Sequence, residues 1–279
     1  MGIADQIGAD WEAALAALAW QADLGVTDVL MEGPVNRYDL AEAAPKVQIP
    51  RPAAPARNDP ARGEAARPQP APPTIEDKPD PVAAARAAAA RAPDLAALRE
   101  AIAAFDHCEL KKGARNTVFA DGNPRARVLI LGEAPGRDED LEGLPFVGRA
   151  GQLLDRMFAA IGLSRQSPDS EAALYITNVM PWRPPANRDP EPAEIAMMQP
   201  FVERHIALVD PQVIVVMGNT PLLALTGAKG ILKARGNWSQ ALGKPLLPMT
   251  HPAYLLRTPL AKRDAWADLL ALKARLDGA

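Results

Sequence analysis

Three polar side chains stand where an apolar stretch of this chain gives way to a loop. Glu133 lies in the glycine-rich turn GEAPG, Gly132–Gly136, directly after the run RVLIL, while Asn178 ends LYITN and His251 follows LLPMT. A carboxylate, an amide and an imidazole supply acid–base groups together with hydrogen-bond donors and acceptors. Because a carboxylate repels phosphate, the turn is atypical of a bare phosphate cradle. These residues predict a site for a neutral polar group or for acid–base chemistry.

An aromatic residue in a loop, Phe146 of PFVG, adds to this set. Loop aromatics provide stacking surfaces for planar ligands, and an asparagine amide is suited to the edge of a nucleobase. Each residue also has a structural explanation: Glu133 as a cap of the next segment, Phe146 as a plug of the core, Asn178 as a turn residue and His251 as a structural ring. Their order and spacing together favour a functional site.

Four apolar runs alternate with segments of helical periodicity, which predicts a parallel sheet covered on both faces. The expected fold class is α/β, a three-layer αβα sandwich with a central four-stranded parallel sheet. Since the carboxyl ends of parallel strands share one edge, Glu133, Asn178 and His251 are expected at one rim, beside an acidic loop over 137–143. The predicted strands are 127–131, 174–179, 212–217 and 246–250, and the main helices 95–105, 149–161, 191–208 and 259–276.

The composition divides the chain into three parts. Residues 1–44 form an N-terminal segment with a predicted amphipathic helix over Trp11–Leu24. Residues 45–93 contain twelve prolines among alanines and arginines, which predicts a disordered linker, with 83–92 transiently helical. Residues 94–279 carry all the regular patterns and form the predicted catalytic domain.

Charge and cysteine content narrow the class of protein further. The net charge is −3, with −5 in residues 1–95 (9 basic, 14 acidic) and +2 in residues 96–279 (22 basic, 20 acidic), so any basic face is local. The single cysteine, Cys108, excludes an internal disulfide and a multi-cysteine metal site. No apolar run is long enough to span a membrane and no secretion signal is recognisable, so a cytoplasmic monomer is expected.

The motifs GEAPG, DEDLEGLPFVGRAGQLLD, YITNV, RPPANRDPEPAEI and HPAYLLR, in this order, resemble the uracil-DNA glycosylase superfamily, family 4 and its close relatives. The resemblance covers residues 104–276. It implies a DNA repair enzyme that flips uracil out of single- or double-stranded DNA and hydrolyses its N-glycosidic bond. No lysine at the rim is a candidate Schiff-base nucleophile, so the expected enzyme is monofunctional and leaves an abasic site.

The resemblance also implies a role for each site residue. Phe146 matches the aromatic on which uracil stacks, Asn178 the amide that distinguishes uracil from cytosine, and His251 the histidine that supports O2 of the departing base. Glu133 matches the motif glutamate. The aspartate that the best-known members carry in this turn is replaced by Ala134, so the attacking water is either held by Glu133 or trapped against the developing cation. The remaining implied pocket residues are Gly132, Pro135 and Gly136, and the implied DNA contacts are Arg149, Gln152, Arg183, Arg188, Lys262 and the segment Tyr254, Leu255, Leu256 and Arg257.

One departure from the family concerns a cofactor. Family 4 members usually hold a four-iron four-sulfur cluster on four cysteines. By alignment three of those positions are Phe105, Trp182 and Gln199, and Cys108 is the fourth. One thiolate cannot hold a cluster, so the sequence predicts a branch of the family without iron.

Three alternatives stay open at this point. A phosphate-binding phosphotransferase would want Lys-Ser or Lys-Thr after the glycines, where Arg137 and Asp138 stand. A DNA-binding accessory protein would keep the fold without turnover. A glycosylase of broader range would also accept hypoxanthine or xanthine.

Overall fold

The computed structural model describes residues 80–278. The predicted N-terminal helix over Trp11–Leu24 and the linker residues 45–79 lie outside the described residues. Within them, no helix is both long enough and apolar enough to cross a membrane.

The described residues alternate between helices and strands, as the sequence predicts. The strands are β1 (Ala120–Gly122), β2 (Val128–Gly132), β3 (Leu174–Asn178), β4 (Val213–Met217), β5 (Ser239–Ala241) and β6 (Lys244–Met249). The helices are α1 (Pro81–Arg91), α2 (Leu95–Ala104), α3 (Leu110–Gly113), α4 (Arg137–Glu142), α5 (Arg149–Ala159), α6 (Pro192–Val209), α7 (Asn219–Thr226), α8 (Ile231–Ala234), α9 (Pro252–Arg257) and α10 (Lys262–Leu276).

The strands form one six-stranded sheet in the order β1-β3-β2-β4-β6-β5. The four central strands are parallel, which confirms the predicted centre of the fold. The edge strands β1 and β5 pair antiparallel with their neighbours and correct the predicted strand number from four to six. Each edge strand has three residues, too few for an alternating pattern to be recognisable in the sequence.

Side chains of β2 divide between two buried layers because successive residues of a strand point to opposite faces. Leu129 and Leu131 join the cluster that includes residues of α1, α2 and α6. Val128 and Ile130 join the opposite cluster with residues of α5 and α10. The three-layer arrangement predicted from the sequence is therefore present, with the central strands buried on both faces.

Helix α1 corrects the C-terminal boundary of the predicted linker. The Asp80 carboxylate accepts a hydrogen bond from the Val82 N–H at 3.0 Å, a helix cap that starts α1 at a proline. Ala85 and Ala89 are buried against α6, and the Arg204 guanidinium donates to the Ala92 carbonyl at 2.8 and 2.9 Å. The alanine-rich stretch forms a stable helix here because small side chains permit close packing on a neighbouring helix.

Candidate active site

One cleft of about 610 Å³ opens at the carboxyl edge of the sheet. Glu133, Phe146, Asn178 and His251 all line it, as do Ala134, Pro135 and Gly136 of the glycine-rich turn. The structure therefore brings together the four residues singled out by the sequence. Gly132, at the end of β2, is buried and contacts Asn178 and Phe146 rather than the cleft itself.

Gly132 is paired with Asn178 in the register of β2 and β3. A Cβ atom at position 132 would lie 2.3 Å from Asn178 Oδ1 and 2.5 Å from Phe146 Cε2. Both distances are shorter than any real contact of a Cβ atom. The absence of a side chain is thus what allows the amide and the aromatic ring to meet above the end of β2.

The amide of Asn178 has an unused hydrogen-bond acceptor. The residue is 8% exposed, and within residues 80–278 its Oδ1 atom has no hydrogen-bond partner. A buried polar atom without a partner costs about 1–3 kcal/mol, which a donor on a ligand would recover. Thr250 Oγ1, on the same cleft wall, also lacks a partner among these residues, and no sequence signal marked it.

The Glu133 carboxylate is held by a residue from another element. Thr220, in the first turn of α7, donates its hydroxyl to Glu133 Oε2 at 2.6 Å. Burial raises the pKa of Glu133, and the negative charge of Asp189 acts in the same direction, whereas the hydrogen bond from Thr220 lowers it. The sequence analysis assigned Thr220 no role.

His251 is the N-cap residue of α9 and is neutral near pH 7. Burial lowers the pKa of His251 to about 4; the Arg257 charge also lowers it, and the Glu139 charge opposes this. The Ala253 N–H donates to Nδ1 at 3.1 Å, so the neutral ring carries its proton on Nε2. The imidazole stacks against the Phe146 ring, with centroids 5.4 Å apart and an interplanar angle of 27°.

The segment predicted as an acidic loop over 137–143 is instead helix α4, followed by Gly143. The pattern was missed because the helix is only six residues long. Its Glu139 carboxylate accepts hydrogen bonds from the N–H groups of Gly136, Val147 and Gly148 at 3.1, 3.1 and 3.0 Å. Glu139 therefore ties the glycine-rich turn to the loop that carries Phe146.

The residues predicted to contact DNA differ in how free their side chains are. Four are exposed, namely Arg149, Gln152, Arg257 and Lys262. The half-buried Arg183 donates to Asn187 at 2.8 Å, and Arg188 forms a two-point pair with Glu194 at 2.7 and 2.9 Å.

Leu255, in the segment predicted to enter a duplex, is buried, so the prediction that it contacts DNA is wrong. Its side chain is 1% exposed and packs with Leu153 and Ala265, so it anchors α9 to α5 and α10 instead of reaching solvent. Helical spacing buries this position, while Tyr254 and Leu256 are half-buried.

Comparisons with known proteins match this architecture. A family model described as the uracil DNA glycosylase superfamily matches residues 119–270. A type-4 uracil-DNA glycosylase of Thermotoga maritima is 41% identical over 153 residues, which cover 54% of this chain and 77% of that protein. Type-4 enzymes of Archaeoglobus fulgidus and Saccharolobus solfataricus are 36% and 37% identical, covering 58% and 61% of this chain and 82% and 80% of theirs.

These relatives overturn the prediction that the chain holds no cofactor. They are type-4 uracil-DNA glycosylases, the family associated with a four-iron four-sulfur cluster, so the predicted absence is wrong on this comparison. One of the four aligned positions lies outside the buried cluster that contains the other three. Gln199 donates to Glu203 at 2.9 Å on a partly exposed face of α6, whereas Met198 is buried in the cluster that contains Phe105 and Trp182.

The described residues around those positions do not form a ligand set for a cluster. Cys108 is the chain's single thiol, and it is buried in the same apolar cluster. Burial raises its pKa, which disfavours the thiolate that binds metal. Within residues 80–278 no three His, Cys, Asp or Glu side chains gather as metal ligands.

Proposed function

This chain belongs to the uracil-DNA glycosylase superfamily, and we propose that it excises uracil from DNA by hydrolysing the N-glycosidic bond. The product is an abasic site, the substrate of the later steps of base excision repair. The observation that carries the proposal is the meeting of Glu133, Phe146, Asn178 and His251 in one cleft inside the matched region. These residues belong to one chain, so a monomer suffices for the reaction.

A base within a duplex is inaccessible to the cleft, so the uracil nucleotide must first leave the stack. Such flipping costs a few kcal/mol. Stacking of the free base on an aromatic ring stabilises the flipped state by about 1–3 kcal/mol. Phe146, whose ring lines the cleft beside His251, supplies that surface.

Asn178 selects uracil by the pattern of its hydrogen bonds. Uracil offers an N3–H donor and an O4 acceptor, which complement the amide's Oδ1 and Nδ2. Cytosine presents an N3 acceptor and an amino donor at the same places, so both contacts fail. The unpartnered Oδ1 supports this role, because it is an acceptor that the described residues leave for a ligand.

His251 assists the departure of the base. As the bond between C1′ and N1 stretches, its electrons move onto uracil and negative charge grows on O2. The Nε2–H of the neutral His251 donates to that oxygen, and the contact strengthens as the charge develops. Stabilisation that is greater in the transition state than in the ground state accelerates the reaction.

Glu133 holds the water that attacks C1′. In its ionised form it accepts a proton from this water as the sugar becomes cationic, and Thr220 keeps one carboxylate oxygen fixed. No lysine lines the cleft in the part of the chain that the structure describes. Water is therefore the proposed nucleophile, and the enzyme does not cut the strand.

Exposed cations around the cleft bind the DNA backbone. Arg149, Arg257 and Lys262 are exposed and can contact phosphates, and Gln152, on α5 with Arg149, is exposed as well. Arg183 is hydrogen-bonded to Asn187 and Arg188 to Glu194. Each of these two arginines must give up that contact to bind a phosphate with the same N–H groups. Tyr254, Leu256 and Arg257 remain as candidates for entry into the duplex, since Leu255 is buried.

A direct test incubates a uracil-containing oligonucleotide with the enzyme and cleaves abasic sites with alkali. Glu133→Gln, Asn178→Ala and His251→Ala are each expected to slow excision by about 100-fold or more. Glu171→Gln and Asn123→Ala make changes of the same kinds at residues that do not line the cleft, so these control variants should excise at the wild-type rate. Unchanged rates in all three site variants would contradict the proposal.

The size of the cleft favours testing a wider base range. It continues past Thr220 to Ile231 and Leu232 of α8, leaving more room than one pyrimidine fills. Oligonucleotides with hypoxanthine or xanthine, assayed beside uracil, decide whether purines are excised. Calorimetric titration with abasic DNA in parallel distinguishes an enzyme from a binding protein without turnover.

A further inference from the structure

Arg165, in the loop between α5 and β3, is almost completely buried and fully paired. Its side chain is 8% exposed. The guanidinium forms ion pairs with Asp155 at 2.9 Å and Asp121 at 3.0 Å. It also donates to the carbonyl oxygens of Pro145 at 2.8 Å and Phe146 at 2.9 Å. Arg165 thus connects two acidic side chains to the loop that carries the stacking ring.

That loop holds Phe146 in an unfavourable backbone conformation. Its φ angle is +54°, in the left-handed region that residues with a side chain seldom adopt. Within residues 80–278 no backbone N–H outside the regular elements donates to the Pro145 or Phe146 carbonyl. Arg165 is the donor that both carbonyls have, and it therefore stabilises the loop in this conformation.

Helix α5 packs directly against the backbone of the loop that carries Phe146. A Cβ atom at Gly151 would lie 1.7 Å from the carbonyl oxygen of Phe146, so the helix backbone and the loop are in direct contact. Gly151 accommodates the loop without attracting it, whereas Arg165 binds the carbonyls of Pro145 and Phe146. Glu139 holds the following N–H groups of the same loop, so Arg165 is the side-chain partner that acts on the backbone of Phe146 itself.

The arrangement requires the geometry of arginine. A planar guanidinium carries five N–H donors in fixed directions, which here reach two adjacent carbonyls and two carboxylates. A lysine ammonium is a compact charge without N–H groups spread across a plane, so it cannot reproduce the hydrogen bonds to both carbonyls and both carboxylates. The two carboxylates together more than neutralise the single positive charge, so the buried guanidinium has its counter-charges within the protein.

We propose that Arg165 is a positioning residue for base excision. It fixes the ring of Phe146 as the stacking surface for uracil without touching the base, an inference that rests on the proposed function. Its loss disturbs the reaction through Phe146 alone. An arginine that merely stabilised the fold would lower activity independently of the ring.

A double-mutant cycle separates these two possibilities. Single-turnover excision of uracil is measured for the wild type, Arg165→Gln, Phe146→Ala and the double variant, each verified as folded by circular dichroism. Arg165→Gln is expected to slow excision by about 10- to 100-fold, because two charge-assisted hydrogen bonds to the loop are lost. In the Phe146→Ala background the same change should cost less than about threefold. Costs that multiply in the double variant would overturn the inference.

Arg127→Gln is the matched control. Arg127 is 19% exposed, pairs with Glu171 at 3.0 Å and donates to the carbonyls of Glu171 and Leu276, at the end of β2 opposite to the cleft. It should lower stability without slowing excision. Arg165→Lys, which keeps the charge and loses the fork, is the second variant if Arg165→Gln does not fold, and wild-type excision by it would overturn the inference. Failure of the wild type to release uracil would instead refute the proposed function.

Discussion

Replacing Gly132 with alanine tests the geometry of the site at its tightest point. The added Cβ would lie 2.3 Å from Asn178 Oδ1 and 2.5 Å from Phe146 Cε2, against an ordinary contact of 3.4 Å. The two side chains must therefore retreat by about 1.1 Å and 0.9 Å, the differences from that distance. A displacement of about 1 Å at a reacting centre can cost about 100-fold in rate. Overpacking also destabilises by about 1–3 kcal/mol.

The assay compares uracil excision and thermal unfolding of Gly132→Ala with Gly113→Ala. A Cβ atom at Gly113 would meet no other atom within 4 Å, so this substitution adds a methyl group without a clash. Gly132→Ala should excise uracil about 100-fold more slowly while remaining folded at the assay temperature, and Gly113→Ala should match the wild type. Wild-type excision by Gly132→Ala would refute the claim that Asn178 and Phe146 act from the positions described.

Three further predictions concern pH and packing. Thr220→Val removes the hydrogen bond that lowers the pKa of Glu133, so this pKa rises and the acid limb of the kcat/KM profile moves to higher pH. Burial lowers the pKa of His205 to about 3 in the folded protein. When the pH falls below the pKa of this histidine in the unfolded chain, the unfolded state binds a proton that the folded state does not. The contribution of His205 to stability therefore falls by about 2 kcal/mol between pH 6.5 and 5, as measured by comparing denaturant unfolding of the wild type and His205→Gln. Leu255→Ala should lower the free energy of unfolding by about 2–5 kcal/mol, whereas Leu260→Ala, at a side chain 91% exposed, should change it little.

Each of these predictions has a control. Thr226→Val removes a hydroxyl from the same helix, where it donates to the Leu222 carbonyl at 2.7 Å, and should leave the pH profile in place. His205→Gln should reduce the loss of stability between pH 6.5 and 5. An unshifted acid limb in Thr220→Val, or an equal acid loss in His205→Gln, would contradict the corresponding argument.

The sequence predicted those features that depend on local patterns. Short apolar runs ending in glycine or a polar residue marked the central strands, and parallel pairing then placed Glu133, Asn178 and His251 at one edge. Phe146 was identified because it lies in a loop, where an aromatic side chain can provide a stacking surface for a planar ligand. The edge strands escaped prediction because three residues carry too little periodicity.

The residues that the sequence did not predict act across long separations in the chain. Thr220 lies 87 positions from Glu133, and Arg165 lies 19 from the carbonyl of Phe146, so neither contact leaves a local signal. Gln199 was aligned with a position that holds a cluster ligand in the family, but a helix turns by about 100° per residue, and Met198 is the residue buried beside Phe105 and Trp182. A shift of one position in a helix thus exchanges a buried residue for one at the surface.

The most direct measurement of the central claim compares the two products of the reaction. Uracil DNA is incubated with the enzyme in water enriched in oxygen-18, and both products are analysed by mass spectrometry. Hydrolysis in this cleft predicts one free uracil per abasic site and no heavy oxygen in the base. The C1′ oxygen of the sugar exchanges with water through the open aldehyde, so the product ratio and the unlabelled base are the deciding results. A sugar product trapped on the protein by borohydride, or no uracil released by the folded wild type, would contradict the account.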